Sequence, residues 1–322
     1  MTHQAASEHR AFERALVAAI RGTAGSTRSL LVEQLIWHCS AEREDEVSDA
    51  QRLVGGAVAT PMDAPSSPVV LVQCVSDNER EGILQAARDH GLALGDTRGG
   101  RLVLAESLGR CGRVELLLLQ TRAGSSGPTS AQGVVSDAID EFAPEFVIAV
   151  GVAFGLKTDE LFPENPTVAI AETSKNYERA RLGTDADGQL LIHERGVVEH
   201  TDPMFSMGLR ALGQHLGMRV AYGEMLCGDK LVDNRDFREV LKKRFPQAIA
   251  GEMEGTGLAS ACLRRRKPWA VVKGISDLGN GRKNAEESAS PGVLLDEDSR
   301  QVRASAVAMN LVLSMLSKGY LQ

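Results

Sequence analysis

Gly251-Glu-Met-Glu-Gly-Thr-Gly-Leu-Ala-Ser-Ala-Cys262 is followed, from Trp269, by Ala-Val-Val-Lys-Gly-Ile-Ser-Asp-Leu-Gly279. Glu252 and Glu254 flank a methionine where a strand gives way to a helix, and the small residues Gly251, Gly255 and Gly257 crowd around them. If the segment is extended there, residues two apart share a face and both carboxylates point into one cleft. The next run, Ala270 to Ile275, lacks the polar alternation of a surface strand, so it reads as a buried strand ending at Ser276-Asp277. Adjacent parallel strands would bring both acid clusters to one sheet edge. An isolated Glu-x-Glu is ordinary decoration of a loop end; the glycines and the buried return strand set this one apart.

Outward from this stretch, strands and helices alternate. Apolar runs at Val69 to Val75, Val114 to Gln120, Phe146 to Val150, Val168 to Ala171 and Arg219 to Tyr222 predict strands. Helical spacing predicts helices with Ile83, Leu84 and Ala87 on one face before Gly91, and over Thr129 to Glu141, Met204 to Leu216, Phe237 to Arg244, Gly255 to Arg266 and Arg303 to Leu316. That alternation indicates an α/β domain, residues 69–322, with a central mixed β-sheet flanked by helices and ligands at the strands' carboxyl ends. The segment Thr60-Pro-Met-Asp-Ala-Pro-Ser-Ser-Pro68 reads as a linker, residues 61–68. Before it, Phe12, Leu16, Val17 and Ile20, then Leu31, Leu35 and His38, then Glu42 to Val54 predict a small N-terminal helical domain over residues 1–60.

Composition narrows the class. The 322 residues, 43% hydrophobic and 25% charged, suit a soluble globular protein with a sizeable core. No apolar run reaches the ~18 residues of a membrane span and the N-terminus is polar, so the expectation is a cytoplasmic chain without a membrane partner. The five scattered cysteines form no C-x-x-C pair and predict neither a disulfide framework nor a metal site. A net charge of −7 argues against nucleic acid as a partner. The cationic run Arg264 to Lys267 falls at a helix C-terminus, where it complements the macrodipole.

On the Glu-Met-Glu segment, the small residues that open a helix and the apolar strand ending Ile-Ser-Asp, the chain resembles the nucleoside phosphorylase and nucleosidase superfamily, including its methylthioadenosine/S-adenosylhomocysteine nucleosidases. Val147-Ile-Ala-Val-Gly-Val-Ala-Phe-Gly-Leu156 is similar to that family's glycine-rich strand-to-loop turn, and Cys227-Gly-Asp-Lys-Leu-Val232 to its base-binding segment. The resemblance spans about Val69 to Leu316 and does not reach the first 60 or so residues. It implies an enzyme that breaks the N-glycosidic bond of a purine, adenine above all, in a nucleoside or nucleotide. No cofactor is implied. Dimers, trimers and hexamers occur in the family, so a homo-oligomer is expected.

The resemblance also assigns roles. Glu254 would hydrogen-bond the ribose hydroxyls, Met253 would pack on the sugar, and Glu252 would support the same pocket. Asp277, beside Ser276, would carry the proton that goes to N7 of the departing base, since the transition state is oxocarbenium-like and the base would otherwise leave as an anion. Glu79 would orient and deprotonate the attacking water, with Glu81 and Asp77 as alternatives in register. A charged first helical turn is also an ordinary N-terminal signature. Val152, Ala153 and Phe154 follow the glycine turn, with Phe154 open to either stacking on the base or packing in the core. Leu231 and Val232 would form the base wall.

Two questions stay open on sequence. Family phosphorylases carry an arginine and a serine where this chain has Ala149 and Val152, so water is the expected nucleophile and phosphorolysis the alternative. An anion would then need another seat, such as the loop from Gly124 to Pro128 at a helix start. Lys175, Lys230, Arg181 and Arg195 make a candidate rim for a phosphorylated substrate, against the reading that such cations are simply solvated. The extra N-terminal part also resembles the arrangement of phosphorylase-fold effectors of bacterial antiviral systems, some of which remove adenine from ATP. There the helical part would meet a protein partner. A catalytically silent nucleoside-binding module is the reading outside enzymes.

Overall fold

Strand β1 (Val69–Cys74) is buried along its whole length, as a β-branched run inside a sheet covered on both faces must be. In this computed structural model the described residues are 67–281 and 296–320. The accessory helices expected in residues 1–60, and the linker up to residue 66, lie outside the described residues.

After β1 come α1 (Asp77–Asp89), β2 (Thr97–Gly99), β3 (Leu104–Cys111), β4 (Val114–Gln120) and α2 (Ala131–Phe142). Next are β5 (Phe146–Gly155), β6 (Val168–Asn176), β7 (Ala180–Thr184), β8 (Leu190–Glu194), β9 (Val198–His200) and α3 (Pro203–His215). The chain ends with β10 (Val220–Cys227), α4 (Arg235–Arg244), β11 (Ala248–Glu252), α5 (Gly255–Arg264), β12 (Trp269–Asp277) and α6 (Glu297–Ser317). One compact unit lies within Ser66–Asp96 and Ala105–Gln322; Thr97–Leu104, with β2, belongs to a second.

Within the larger unit the strand order is β11-β10-β6-β12-β5-β1-β4-β3, with β9 on β6. Strands β4, β1, β5 and β12 run parallel, while β12 is antiparallel to β6. β11 is parallel to β10 and also meets the end of β5 antiparallel, at Ala250 with Gly155 and Gly251 with Phe154. The five strands β5, β12, β6, β10 and β11 therefore close on themselves. This corrects the expectation that β11 and β12 are adjacent parallel strands. They flank the end of β5, where Phe154 pairs with Gly251 on one side and Asp277 on the other.

Start signals in the sequence place the helices. Ser76 caps α1, and Glu79 returns the bond as the second half of a capping box. Asp202 caps α3 just before Pro203, and Asn234 and Asp296 cap α4 and α6. Helix α6 lies so close to the sheet that a Cβ on Gly274 would fall 2.2 Å from the Ala304 carbonyl oxygen, and one on Gly82 of α1 2.3 Å from that of Val302. Arg265, after α5, pairs with Asp140 of α2 rather than forming an anion patch. The β7–β8 ribbon is a separate two-stranded sheet whose Leu182, Leu190 and Ile192 are exposed. Among the described residues no helix is long and apolar enough to cross a membrane.

Because backbone rather than a flexible side chain blocks that position, Gly274→Ala is expected to lose at least about 2 kcal/mol of stability by forcing α6 off β12. Equilibrium urea denaturation measures it; a loss under half of that would mean that α6 yields freely.

Candidate active site

The site grows from the third residue of α1. The Glu79 amide donates to Ser76 Oγ at 3.1 Å, and Glu79 Oε2 accepts from the amides of Val75, at 2.7 Å, and Ser76, at 3.1 Å. Half of this carboxylate is thus committed to the helix start. The other half is not: Oε1 crosses to β5 and accepts from the Val152 amide at 2.7 Å. It can do so only because residue 151 is glycine, since a Cβ there would sit 2.0 Å from Oε1. The two alternatives point elsewhere. Glu81 pairs with Arg88 and Asp77 accepts from Gln120, both in exposed positions.

Lys273 stands opposite Gly151 in the β5–β12 register and is fully buried. Its Nζ lies 3.3 Å from Glu254 Oε2 and 3.8 Å from Glu79 Oε1. The remaining oxygen of Glu254 accepts from the Gly124 amide at 3.3 Å. Glu252 turns its carboxylate back onto the start of α5, accepting from the amides of Glu254 (2.9 Å) and Gly255 (2.9 and 3.0 Å). The two acids do not share a face as extended residues. β11 ends at Glu252, and Glu254 is already in a helical conformation at the cap of α5.

Charge settles the protonation. Burial disfavours the ammonium of Lys273, but Glu79, Glu254 and Glu252 outweigh it and hold the lysine well above its ordinary value. Burial pushes Glu254 up to about 7, against the pull of Lys273 and with a further push from Glu252 and Glu79. Three buried carboxylates lie around one buried cation, and on Glu254 a proton can be retained near neutrality. Asp277, four residues beyond Lys273, follows a register slip between Ile275 and Asp277, a bulge that re-aims the strand end. Its carboxylate accepts from Ser276 Oγ at 3.0 Å and from the Gly279 amide at 2.9 Å.

The other sequence candidates are placed unevenly. Ala153 and Phe154 are buried, and Phe154 packs with Leu156, Tyr177, Leu226, Val232 and Phe245. Its ring fills the space over Gly251, where a Cβ would come within 2.2 Å. Val232 belongs to that cluster, whereas the neighbouring Leu231 is 69% exposed. The Met253 carbonyl accepts from Ser125 Oγ at 2.8 Å. In the Gly124 loop, the first two amides go to Glu254 and, at 2.8 Å, to Asp229. Among the cations, Lys230 pairs with Glu178, and Lys175 pairs with Glu224 at 3.6 Å and lies over the Phe245 ring. Arg181 and Arg195 are exposed at the β7–β8 ribbon. Lys273 was the residue sequence reasoning passed over. Its signal was present: a lysine inside a run otherwise apolar enough to be buried needs a buried partner.

This mixed, partly closed α/β sheet with its flanking helices defines a phosphorylase-like fold. A profile of the phosphorylase superfamily matches residues 70–317, and the chain belongs to that superfamily. Among solved structures, the S-adenosylhomocysteine nucleosidase of Streptococcus pyogenes superposes with a TM-score of 0.62 at 21% identity, covering 80% of this chain and all of that one. The futalosine hydrolase of Helicobacter pylori gives 0.61 at 18% identity, covering 78% of this chain and 98% of its own. At these identities both show the fold. In sequence, the 5'-methylthioadenosine/S-adenosylhomocysteine nucleosidase of Staphylococcus epidermidis is 25% identical over 181 residues, 54% of this chain and 74% of the relative. The death domain-containing ATP nucleosidase of Amphimedon queenslandica is 30% identical over 178 residues, half of this chain. The match spans only 33% of the Amphimedon protein's length.

Replacing Lys273 by methionine leaves two buried carboxylates without their cation and is expected to cost roughly 3–5 kcal/mol at pH 8. The sign with pH follows from linkage. Without the cation, the folded-state pKa of Glu254 rises further above the ordinary carboxylate value, so the folded variant binds protons more readily than the unfolded chain and regains stability as pH falls. The wild-type lysine, held above its ordinary value, contributes fully at both pH 5 and pH 8. Denaturation at those two pH values should show the gap between variant and wild type narrowing at pH 5; an equal gap would detach Lys273 from the carboxylates.

Proposed function

We propose that this protein hydrolyses the N-glycosidic bond of a purine nucleoside or nucleotide, with adenine as the base. One observation carries the reading: Glu79, held to the Val152 amide, and Glu254 are drawn together around Lys273, and the strand that carries this lysine, β12, ends four residues later at the acid Asp277. In this arrangement Glu254 binds the ribose hydroxyls and Glu79 takes a proton from the attacking water. Asp277 delivers a proton to N7 of the base as the bond from C1′ to the base nitrogen breaks, and the water oxygen forms the new bond to C1′. Lys273 touches neither water nor base in this account; it positions the two glutamates. Met253 packs on the sugar, and Val232 with Phe154 backs the base.

Water rather than phosphate is the nucleophile. Ala149 and Val152 offer no side-chain donor, and the two leading amides of the Gly124 loop are already taken by Glu254 and Asp229. A phosphate entering here would face several carboxylates and one lysine already paired with two of them. As for the 5′ end, the ATP nucleosidase among the relatives supports a nucleotide, and Lys175, Lys230, Arg181 and Arg195 are the cations offered to its phosphates. Action as an antiviral effector, with residues 1–60 as the part that meets a protein partner, belongs to the same proposal. So do assembly as a homo-oligomer and a cytoplasmic location.

Base release from adenosine, methylthioadenosine, AMP and ATP, followed by chromatography with and without phosphate, tests this. Adenine should appear at equal rates in both conditions, and Asp277→Asn should reduce it at least ~100-fold. A requirement for phosphate would replace hydrolysis by phosphorolysis. No release from any substrate would leave a silent binding module.

A further inference from the structure

Residues Gly124 and Ser125 hand their consecutive amides to two carboxylates from different parts of the chain. The Gly124 amide goes to Glu254 Oε1 at 3.3 Å, and that of Ser125 to Asp229 Oδ1 at 2.8 Å. Gly124 has φ +108, a conformation in which consecutive amides turn towards different partners and which L side chains resist. A Cβ on it would stand in ordinary contact with Asp229 Oδ1, at 3.4 Å, so backbone conformation rather than space calls for the glycine.

We infer that Asp229 is a positioning residue: by holding the Ser125 amide it keeps the neighbouring Gly124 amide on Glu254, and so fixes the carboxylate assigned to the ribose. This rests on the proposed function for what Glu254 does, not for where it is. Asp229 is itself firmly placed. Its amide donates to Glu178 Oε2 at 3.0 Å, and the preceding Gly228 donates to the Glu252 carbonyl at 3.2 Å. A Cβ on Gly228 would come within 2.5 Å of the Tyr177 ring, so the 227–230 turn sits flat against buried Tyr177. Other bonds hold Ser125 through its side chain, from Oγ to the Met253 carbonyl and to Thr256 Oγ1 at 2.9 Å. Asp229 instead takes the backbone amide that follows Gly124.

The consequence is electrostatic. Glu254 faces the Lys273 ammonium on β12, the Glu252 carboxylate on β11, the Glu79 carboxylate on α1 and the Gly124 amide. Lys273 and the amide favour its ionised form; burial and the two glutamates oppose it. Losing the amide while the rest stays in place moves Glu254's titration to higher pH, by about half a unit or more for one hydrogen bond to a charged group. A substitution that merely loosened the fold would have no reason to move this one midpoint in that direction.

The test is nuclear magnetic resonance of the full chain, following the Gly124 amide nitrogen and the Glu254 side-chain carboxyl carbon with pH, with Glu254→Gln used to assign the latter. In wild type the Gly124 amide should report the Glu254 midpoint. Both variants remove the Asp229 charge, which by itself lowers the midpoint, so Asp229→Asn, whose Oδ1 still accepts from Ser125, is the reference: Asp229→Ala should titrate about half a unit or more above it and uncouple the Gly124 amide. An Asp229→Ala midpoint no higher than that of Asp229→Asn, or a wild-type Gly124 amide blind to Glu254, overturns the inference. If Asp229→Ala does not fold, the wild-type amide and Asp229→Asn decide it: a blind amide, or an Asn variant raised by as much as half a unit, overturns it. None of these readouts needs turnover. A midpoint shift without base release from any nucleoside or nucleotide would sink the proposed function and leave the positioning role standing.

Discussion

A fully buried ammonium between two buried carboxylates is the constraint on which the site depends. Moving Lys273, Glu79 and Glu254 out of water is costly, and their mutual attraction offsets the cost only where geometry is tightly held. Here it is held by elements far apart in sequence: the capping box of α1, the glycine turn of β5, the middle of β12 and the start of α5. Each needs the others. Glu79 reaches β5 only over Gly151, Lys273 lies directly opposite that glycine, and Glu254 meets the lysine only because the chain turns helical after Glu252.

The same charges decide what the pocket can admit. With a single cation among several carboxylates, the interior is poised for protons rather than for anions. That is the setting in which a carboxyl group keeps a proton near neutrality, the property a leaving-group acid or a ribose-binding glutamate can use. Loop amides that would otherwise form an anion seat are spent on the protein's own carboxylates. The proposed preference for water over phosphate rests on two physically independent features, missing side-chain donors and occupied backbone donors.

Much of this was legible before any coordinates. Strands β1 and β4 and the six helices among the described residues fall where apolar runs put them, α6 beginning six residues before the expected Arg303, because local burial pattern and helix-start chemistry are written in adjacent residues. Glu79 was readable as the fourth residue of Ser-Asp-Asn-Glu, although the pattern alone cannot say that one of its oxygens leaves the cap for β5. What failed was long-range. Nothing in the sequence says that β11 curls round to touch β5, so β11 and β12 were expected to be neighbours. Nor does an isolated Lys273 announce its partners, which lie 194 residues upstream in Glu79 and 19 residues upstream in Glu254. Strands β2, β3, β7, β8 and β9 escaped because they carry no sustained apolar run: polar residues interrupt β3 after Ala105, and the longest run in the ribbon is the exposed Leu190-Leu-Ile192.

The closed curl of strands also explains why the site is rich in glycine. In a flat sheet, side chains from neighbouring strands stand side by side and a carboxylate can reach only its own surface. Where β5, β12, β6, β10 and β11 close, interior side chains converge, and space must be released for those that carry charge. Gly151 makes room for Glu79, Gly251 for the Phe154 ring, Gly255 for the Glu252 carboxylate and Gly257 for the Ser125 carbonyl. A methyl group at any of the four would meet one of these groups at under 3 Å. The glycines that made the Glu-Met-Glu segment stand out in sequence therefore serve the acids in two ways: Gly255 yields space to the Glu252 carboxylate directly, while Gly251 and Gly257 let the Phe154 ring and the Ser125 backbone close in around the segment, as Gly151 on β5 does for Glu79.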